Sequence, residues 1–364
     1  MNSPAQSTRL VGLDIARALA VFGMVIVNFK IAMGAEANGA DWLVDITSIL
    51  SGRAAALFVI LAGIGMSLLS KRAREEKDLE LLAKNRSSLL RRAAALFVFG
   101  LLFTPIWPAD ILHFYGVYIA IGALMLQVPN QRFTHGILLL MLAFPIMLAT
   151  MDYSTEWTWE TLHYEGFWTP FGFVRHLFFN GFHPVIPWLA FLLLGMRLGR
   201  ADLSSSTTQL SMFRWGVGVA FVVELHSHFF YGVFTMADRP VDPEIAQAVF
   251  GTEPMPPMPL YMLAAASWAI ATIAICLHLG QRFGQSKLSK ALSATGQLAL
   301  TLYVAHVVLG LGILEAIDRL ENQTLEFSVL AALTFCIVGI VFATIWLTRL
   351  KRGPLEIILR KLSG

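Results

Sequence analysis

Charge is scarce in this chain. Only 14% of its 364 residues are Asp, Glu, Lys or Arg, and 56% are hydrophobic, against about 25% and about 45–50% in soluble globular domains. So few charges cannot cover a large water-exposed surface, which excludes a soluble enzyme, an extended nucleic-acid binder and a disordered tail. Cysteine is nearly absent as well. Cys276 and Cys336 each sit inside an apolar run, so no disulfide framework or cysteine metal site is expected, and both read as lipid- or core-facing filler. No P-loop, dinucleotide fingerprint or nucleophile elbow is present. There is no internal repeat, and no matched pair of interrupted helices of the inverted-repeat transporter kind. The histidines lie on separate predicted helices without a compact ligand motif, so no metal is expected.

What the chain does have is long apolar runs. A transmembrane helix needs roughly 20 apolar residues, and apolar windows predict ten: 10–30, 53–70, 92–107, 111–128, 133–151, 184–200, 211–234, 259–280, 296–314 and 327–349. The expected fold class is all-α, a polytopic membrane helical bundle forming one transmembrane domain over 1–364. The first helix reads as retained rather than as a cleaved signal, because its apolar run of roughly 20 residues, interrupted at its start by Asp14 and Arg17, is longer than a signal's apolar core. The third window is short, and Thr104-Pro105-Ile106-Trp107-Pro108 breaks it before the fourth begins. Gly63 and Gly65 suit a helix-packing surface.

Basic residues set the expected orientation. Lys30, Arg53, Arg175, Arg239 and Arg319 fall on one side, and the remaining 22 of 27 Lys and Arg on the other, eight of them within 71–92. By the positive-inside rule the basic side is cytoplasmic, so both termini are expected inside, with a basic cytoplasmic loop at 71–92. Outer loops then span 31–52, 152–183 and 235–258. The second holds Trp157, Trp159 and Trp168, which suit interface anchors or a lid over an outward-facing pocket. Residues 35–52 suit an interfacial helix or a re-entrant piece.

Polar groups inside or beside these runs are the candidate site residues. Asp14 and Arg17, three apart, share a helix face, either as a snorkelling interface pair or with the guanidinium holding a phosphate. Asn28 closes the first helix. Asp110 and His113 open the fourth, His183 precedes Pro184 at the start of the sixth, and His306 sits in mid-ninth. Glu224 and His228, four apart in the seventh, are costly in a membrane unless paired. Each histidine reads either as a buried structural group or as a general base, since imidazole transfers protons near neutrality. Helices four, six and nine can bring His113, His183 and His306 to one outer cavity.

The opening Arg9-x4-Asp14-x2-Arg17, on a helix that ends in Asn28-Phe29, resembles the YeiB-like membrane proteins. These are relatives of heparan-alpha-glucosaminide N-acetyltransferase within the transmembrane acyltransferase superfamily. Three further stretches carry the likeness: Asp110-Ile-Leu-x-x-Tyr115-Gly116, Gly296-x-Leu-Ala-Leu-Thr301-x-Tyr303 and Gly353-Pro354-Leu355-Glu356-x3-Arg360. The resemblance implies acetyl-CoA or another acyl-CoA as co-substrate entering from the cytoplasm, and an acceptor outside. It implies an Asn at the end of the first helix, matched by Asn28, and a His in the outer segment that follows. Residues 29–52 hold no histidine, so either another outer histidine serves or the chain is not a transferase of that type.

The leading reading is a multi-pass acyltransferase of the bacterial inner membrane. Arg9, Asp14, Arg17, Arg91 and Arg92 would hold the donor nucleotide. Asn28 would stabilise the oxyanion, and His183, His113 or His306 would take the acceptor's proton, with Asp110 orienting the base. The partners are the lipid bilayer and an extracytoplasmic glycan, amine or hydroxyl compound, with no nucleic acid; a homodimer is compatible with this. The alternatives are a transporter using Glu224 and His228 as a proton relay, and a non-catalytic membrane sensor.

Overall fold

A computed structural model describes residues 10–159, 161–236 and 241–364. Almost all of it is helix. The first half contains α1 (Val11–Ala32), α2 (Asp41–Leu50), α3 (Arg53–Leu69), α4 (Lys71–Glu75), α5 (Leu79–Phe103), α6 (Leu112–Leu124) and α7 (Asn130–Thr150). A two-stranded hairpin follows, β1 (Trp157–Thr158) against β2 (His163–Tyr164), then α8 (Pro170–Arg175), which runs into a π-helical turn at His176–Asn180. The rest comprises α9 (Val185–Leu198), α10 (Ser206–Thr235), α11 (Pro243–Phe250), α12 (Pro259–Phe283), α13 (Lys287–Gln297) and α14 (Ala299–Ala305). A second π-helical turn at His306–Leu311 joins α14 to α15 (Gly312–Ala316), followed by α16 (Leu325–Arg349) and α17 (Pro354–Ser363).

Every apolar window has become a helix, so the all-α bundle stands. Among the described residues, seven helices are long and apolar enough to cross a membrane, or eight if the pair α8–α9, bent by 48°, counts as one span. The shortfall from ten lies in α5 and α6. The first half of α5 carries Lys84, Arg86, Arg91 and Arg92, and α6 has only 13 residues. They form the tight hairpin that Pro105 and Pro108 predict, with the close approach made at Gly100 against His113 and at Gly116 against Ala93. The basic stretch 71–92 is no loop: it is α4 and the first turns of α5, started by the Asp78 carboxylate, which accepts from the Leu81 N–H at 2.9 Å. The predicted outer loops likewise carry α2, the small hairpin with α8, and α11.

Sequence composition sorts the helices into centre and rim. The apolar stretches of α1 and α12 are 56% and 61% buried within the protein, whereas those of α7 and α10 are 11% buried. Rim helices therefore turn Leu139, Leu142, Phe221 and Ile337 outward. Such a continuous apolar exterior is stable only in lipid, so this is a multi-pass membrane protein. At the centre, small residues let backbones touch. A Cβ on Gly63 would strike the Leu192 carbonyl, and one on Gly195 the Ile60 carbonyl, which fixes the α3–α9 crossing. Gly65 does not share that surface. A Cβ placed there would meet the Arg17 guanidinium at 3.8 Å, on the wall of the open cavity.

Candidate functional site: two cavities that nearly meet

Two cavities enter the bundle from opposite ends. One, of about 870 Å³, opens at the end that carries α4 and α17. Arg17 from α1 and Lys84, Arg91 and Arg92 from α5 line it, joined by Lys351, Arg352 and Arg360 from the C-terminal segment. Among the described residues, two side-chain carboxylates line this wall, and both are engaged. Asp14 pairs with Arg17 at 2.5 Å and also accepts from Ser293 Oγ at 3.4 Å. Glu356 caps the start of α14, accepting from the Leu300 and Thr301 N–H groups at 2.8 and 3.1 Å and from Thr301 Oγ1 at 2.5 Å. The net field is strongly positive, while Phe58, Leu61, Leu96 and Leu112 line an apolar wall.

The second cavity, of about 740 Å³, opens at the far end. Asn28, Lys30, Arg53, His183, Trp188 and Tyr303 are among its walls. The two cavities come within a residue of each other: Ile111 lines the far one and Leu112 the basic one.

Around that partition lies a buried polar network. Asn28 Nδ2 donates to His306 Nε2 at 2.9 Å across 278 positions of sequence. An amide nitrogen only donates, so Nε2 must be the accepting nitrogen of His306. The ring is fully buried at the start of the second π-helical turn, a local widening often found at functional sites. One turn earlier, Tyr303 O–H donates to Asp110 Oδ1 at 3.2 Å and accepts from the Ile111 N–H at 3.2 Å. Asp110 also accepts from the Leu112 N–H at 2.8 Å and meets His113 Nδ1 at 3.4 Å. Burial pushes the Asp110 carboxyl above the ordinary carboxylate range, opposed by its bonds to His113, Leu112 and Tyr303.

Of the three candidate histidines, His183 lines the far cavity; His306 lies behind Asn28, and His113 is buried beside Asp110. Pro184 caps α9 instead of opening its first turn. The break before α9 holds His183 on both sides: its carbonyl accepts from Tyr118 O–H, and its ring meets Trp188 edge-on at 4.6 Å between centroids. Its Nδ1 is buried without a hydrogen-bond partner. Asp110 touches neither His183 nor His306, so among these bases it orients His113 alone. Arg9 lies outside the described residues.

The Glu224–His228 pair does not form. Glu224 turns into the far cavity, where Arg53 Nη2 meets it at 2.6 Å and Thr252 Oγ1 donates to it at 3.0 Å, while His228 faces outward. Sequence reasoning missed Tyr303, Arg53, Lys351 and Arg352 as cavity residues. Tyr303 carried a signal, since it stands in one of the quoted motifs; Arg53 carried none.

Those motifs, dispersed in sequence, meet in space. Gly296 packs on the Asp14 carbonyl, Thr301 bonds Glu356, and Tyr303 bonds Asp110. Comparison with known families agrees. Residues 248–364 match the family described as "Protein of unknown function (DUF418)", and residues 9–235 match "Heparan-alpha-glucosaminide N-acetyltransferase, catalytic". No curated protein matches the chain. With well over half its length under the second of these models, the chain belongs to the heparan-alpha-glucosaminide N-acetyltransferase catalytic family, an acetyltransferase-type family of membrane proteins.

Proposed function

We propose that the protein moves an acyl group, acetyl in the simplest case, from acyl-CoA bound at the basic end to an acceptor bound at the far end. The observation that carries this is the near-meeting of the two cavities at Ile111–Leu112. A donor needs a cationic mouth for its phosphates and an apolar channel for its pantetheine arm, and the basic cavity supplies both. Guanidinium groups make forked bonds to phosphate, so Arg17, Arg91 and Arg92 are the donor-binding residues in this reading. Asp14 fixes the Arg17 fork.

The thioester would then lie near Asn28. One N–H of its amide is held by His306, which leaves the second for the oxyanion that develops on the acyl carbonyl. The acceptor's nitrogen or oxygen forms the new bond to the acyl carbon, and its proton passes to His183. The C–S bond breaks, and the CoA thiolate leaves and takes up a proton. Asp110 and Tyr303 hold the partition and position His113 beside it.

Basic residues are expected on the cytoplasmic side. In a bacterial inner membrane the donor cavity therefore opens to the cytoplasm and the acceptor cavity to the periplasm. The test is donor binding by purified protein. Acetyl-CoA should raise the melting temperature of the wild type, and Arg92→Ala should weaken that effect. If millimolar acetyl-CoA leaves both unchanged, the donor assignment is wrong.

A further inference from the structure

The exposed face of α5 carries a cation that neither cavity uses. A groove of about 410 Å³ runs along this face, lined by Ala83, Arg86, Ser87, Leu90, Arg91 and Ala94. Arg86 is the unexplained member. It is half-buried, yet among the described residues its guanidinium makes no hydrogen bond or ion pair. Its Nε is closed off inside the packing, so only Nη1 and Nη2 can meet a ligand in the groove. Arg91 borders the donor cavity on one side and this groove on the other. Among the described residues no carboxylate lines the groove, and the one acidic residue of α5, Glu80, stands in its first turn.

A neighbouring helix marks the depth. In α17, Ile358 and Leu362 are exposed beside Arg360 and Lys361, and an amphipathic helix of that pattern lies in the plane of the membrane surface. Arg91 Nε donates to the Ser363 carbonyl of α17 at 3.0 Å, which puts the groove at headgroup level. From there one stripe of α5 continues through Ala94, Val98 and Leu102, all exposed. Arg91 to Leu102 spans about 16 Å at roughly 1.5 Å per residue. One leaflet has about 15 Å of hydrocarbon. The track therefore matches the depth of one leaflet.

We propose that this groove binds an anionic phospholipid, with its phosphate on Arg86 and Arg91 and an acyl chain along Ala94, Val98 and Leu102. Guanidinium forks suit a phosphate, and an unpaired cation facing lipid is otherwise costly. A zwitterionic lipid fits less well. Its quaternary ammonium would meet neither a carboxylate nor an aromatic ring in the groove. The site requires neither the donor nor the acceptor of acyl transfer.

The experiment uses the purified full chain in micelles holding equal amounts of dioleoylphosphatidylglycerol and dioleoylphosphatidylcholine. Native mass spectrometry reads which lipid stays bound to wild type, Arg86→Gln, Ala94→Trp and Lys77→Gln. Wild type should retain phosphatidylglycerol over phosphatidylcholine by about tenfold to hundredfold, the range of a charge-assisted hydrogen bond. Arg86→Gln should bring the two lipids to near parity. Ala94→Trp, which fills the groove without changing the charge, should do the same. Lys77 is exposed at the same end, so Lys77→Gln removes one surface charge and should keep the preference.

The melting temperature of each variant without lipid reports folding, and either groove variant alone decides the matter. Equal retention of both lipids by wild type, or a preference that survives a folded groove variant, overturns the proposal. So does an equal loss in Lys77→Gln, which would mean general attraction to the surface. Excess inorganic phosphate should leave the bound lipid in place; displacement would make the ligand free phosphate and overturn the lipid assignment.

Discussion

The two ends of the bundle solve opposite problems. At the basic end, seven cations from three separate parts of the described chain surround a wide mouth, and among the described residues Arg17 is the one paired with a side-chain carboxylate on the cavity wall. At the far end and the partition, single atoms are specified: Asn28 to His306, Tyr303 to Asp110, Arg53 to Glu224. The first arrangement attracts a multiply charged ligand and tolerates the loss of any one member. The second depends on geometry and does not. Redundant charge suits binding a donor, whereas defined polar contacts around a thin partition suit the reacting atoms.

That contrast can be broken from either side. Removing His183 should have the largest effect. His183→Ala is expected to lower turnover by about 10²–10⁴-fold, the usual cost of a general base, while acetyl-CoA affinity and folded yield stay at wild-type levels. His306→Ala and His113→Ala are the comparison. If His183→Ala turns over normally and one of these two abolishes turnover with donor binding intact, the base is misassigned.

Next in size is the α3–α9 crossing. Gly195→Leu forces α9 off α3, where the Ile60 carbonyl leaves no room for a Cβ. It should cost about 1–3 kcal/mol or more, read as a lowered melting temperature with both ligands weakened together. Equal stability would mean that the crossing is not close-packed.

Single cation losses at the basic end should be milder. Arg17→Ala, Arg91→Ala and Arg92→Ala are each expected to weaken acetyl-CoA binding by about three- to thirtyfold, less than the full worth of one charged hydrogen bond because the neighbouring cations partly substitute for the one removed. Turnover at saturating donor should change little. Raising salt should weaken donor binding in the wild type through screening, and less so in a variant lacking two of these arginines. A salt-independent affinity would count against an electrostatic mouth. Smallest of all is His228→Ala, expected to leave turnover within about twofold because the side chain faces outward; a large loss would revive the Glu224–His228 relay.

Helix positions were legible because apolar runs of sufficient length leave few alternatives. The α5–α6 break was legible from Pro105 and Pro108. Conversely, the two π-helical turns at His176 and His306 have no local sequence signature, since each depends on what packs around it. The Asn28–His306 bond joins residues 278 apart, and no spacing rule reaches that far. Charge counting located the basic stretch 71–92 but could not divide it. Arg91 and Arg92 line the cavity, while Arg72 lies in solvent against Glu76. Gly63 and Gly65 looked equivalent in sequence, yet only Gly63 meets another helix. The quoted motifs were the best guide to the site, because Gly296, Thr301, Tyr303 and Glu356 are the contacts that join the elements around it.

Sidedness of transfer tests the central claim most directly. The protein is reconstituted in sealed vesicles, with its orientation read by labelling Lys77→Cys at the basic end or Trp168→Cys at the far end; both positions are exposed, whereas the native Cys276 and Cys336 are buried. Labelled acetyl-CoA is supplied to one compartment and the acceptor to the other. Acetylated acceptor should form only when the donor faces the basic end, with CoA released on the donor side. Product that forms only when donor and acceptor share a compartment would contradict transfer between the two cavities.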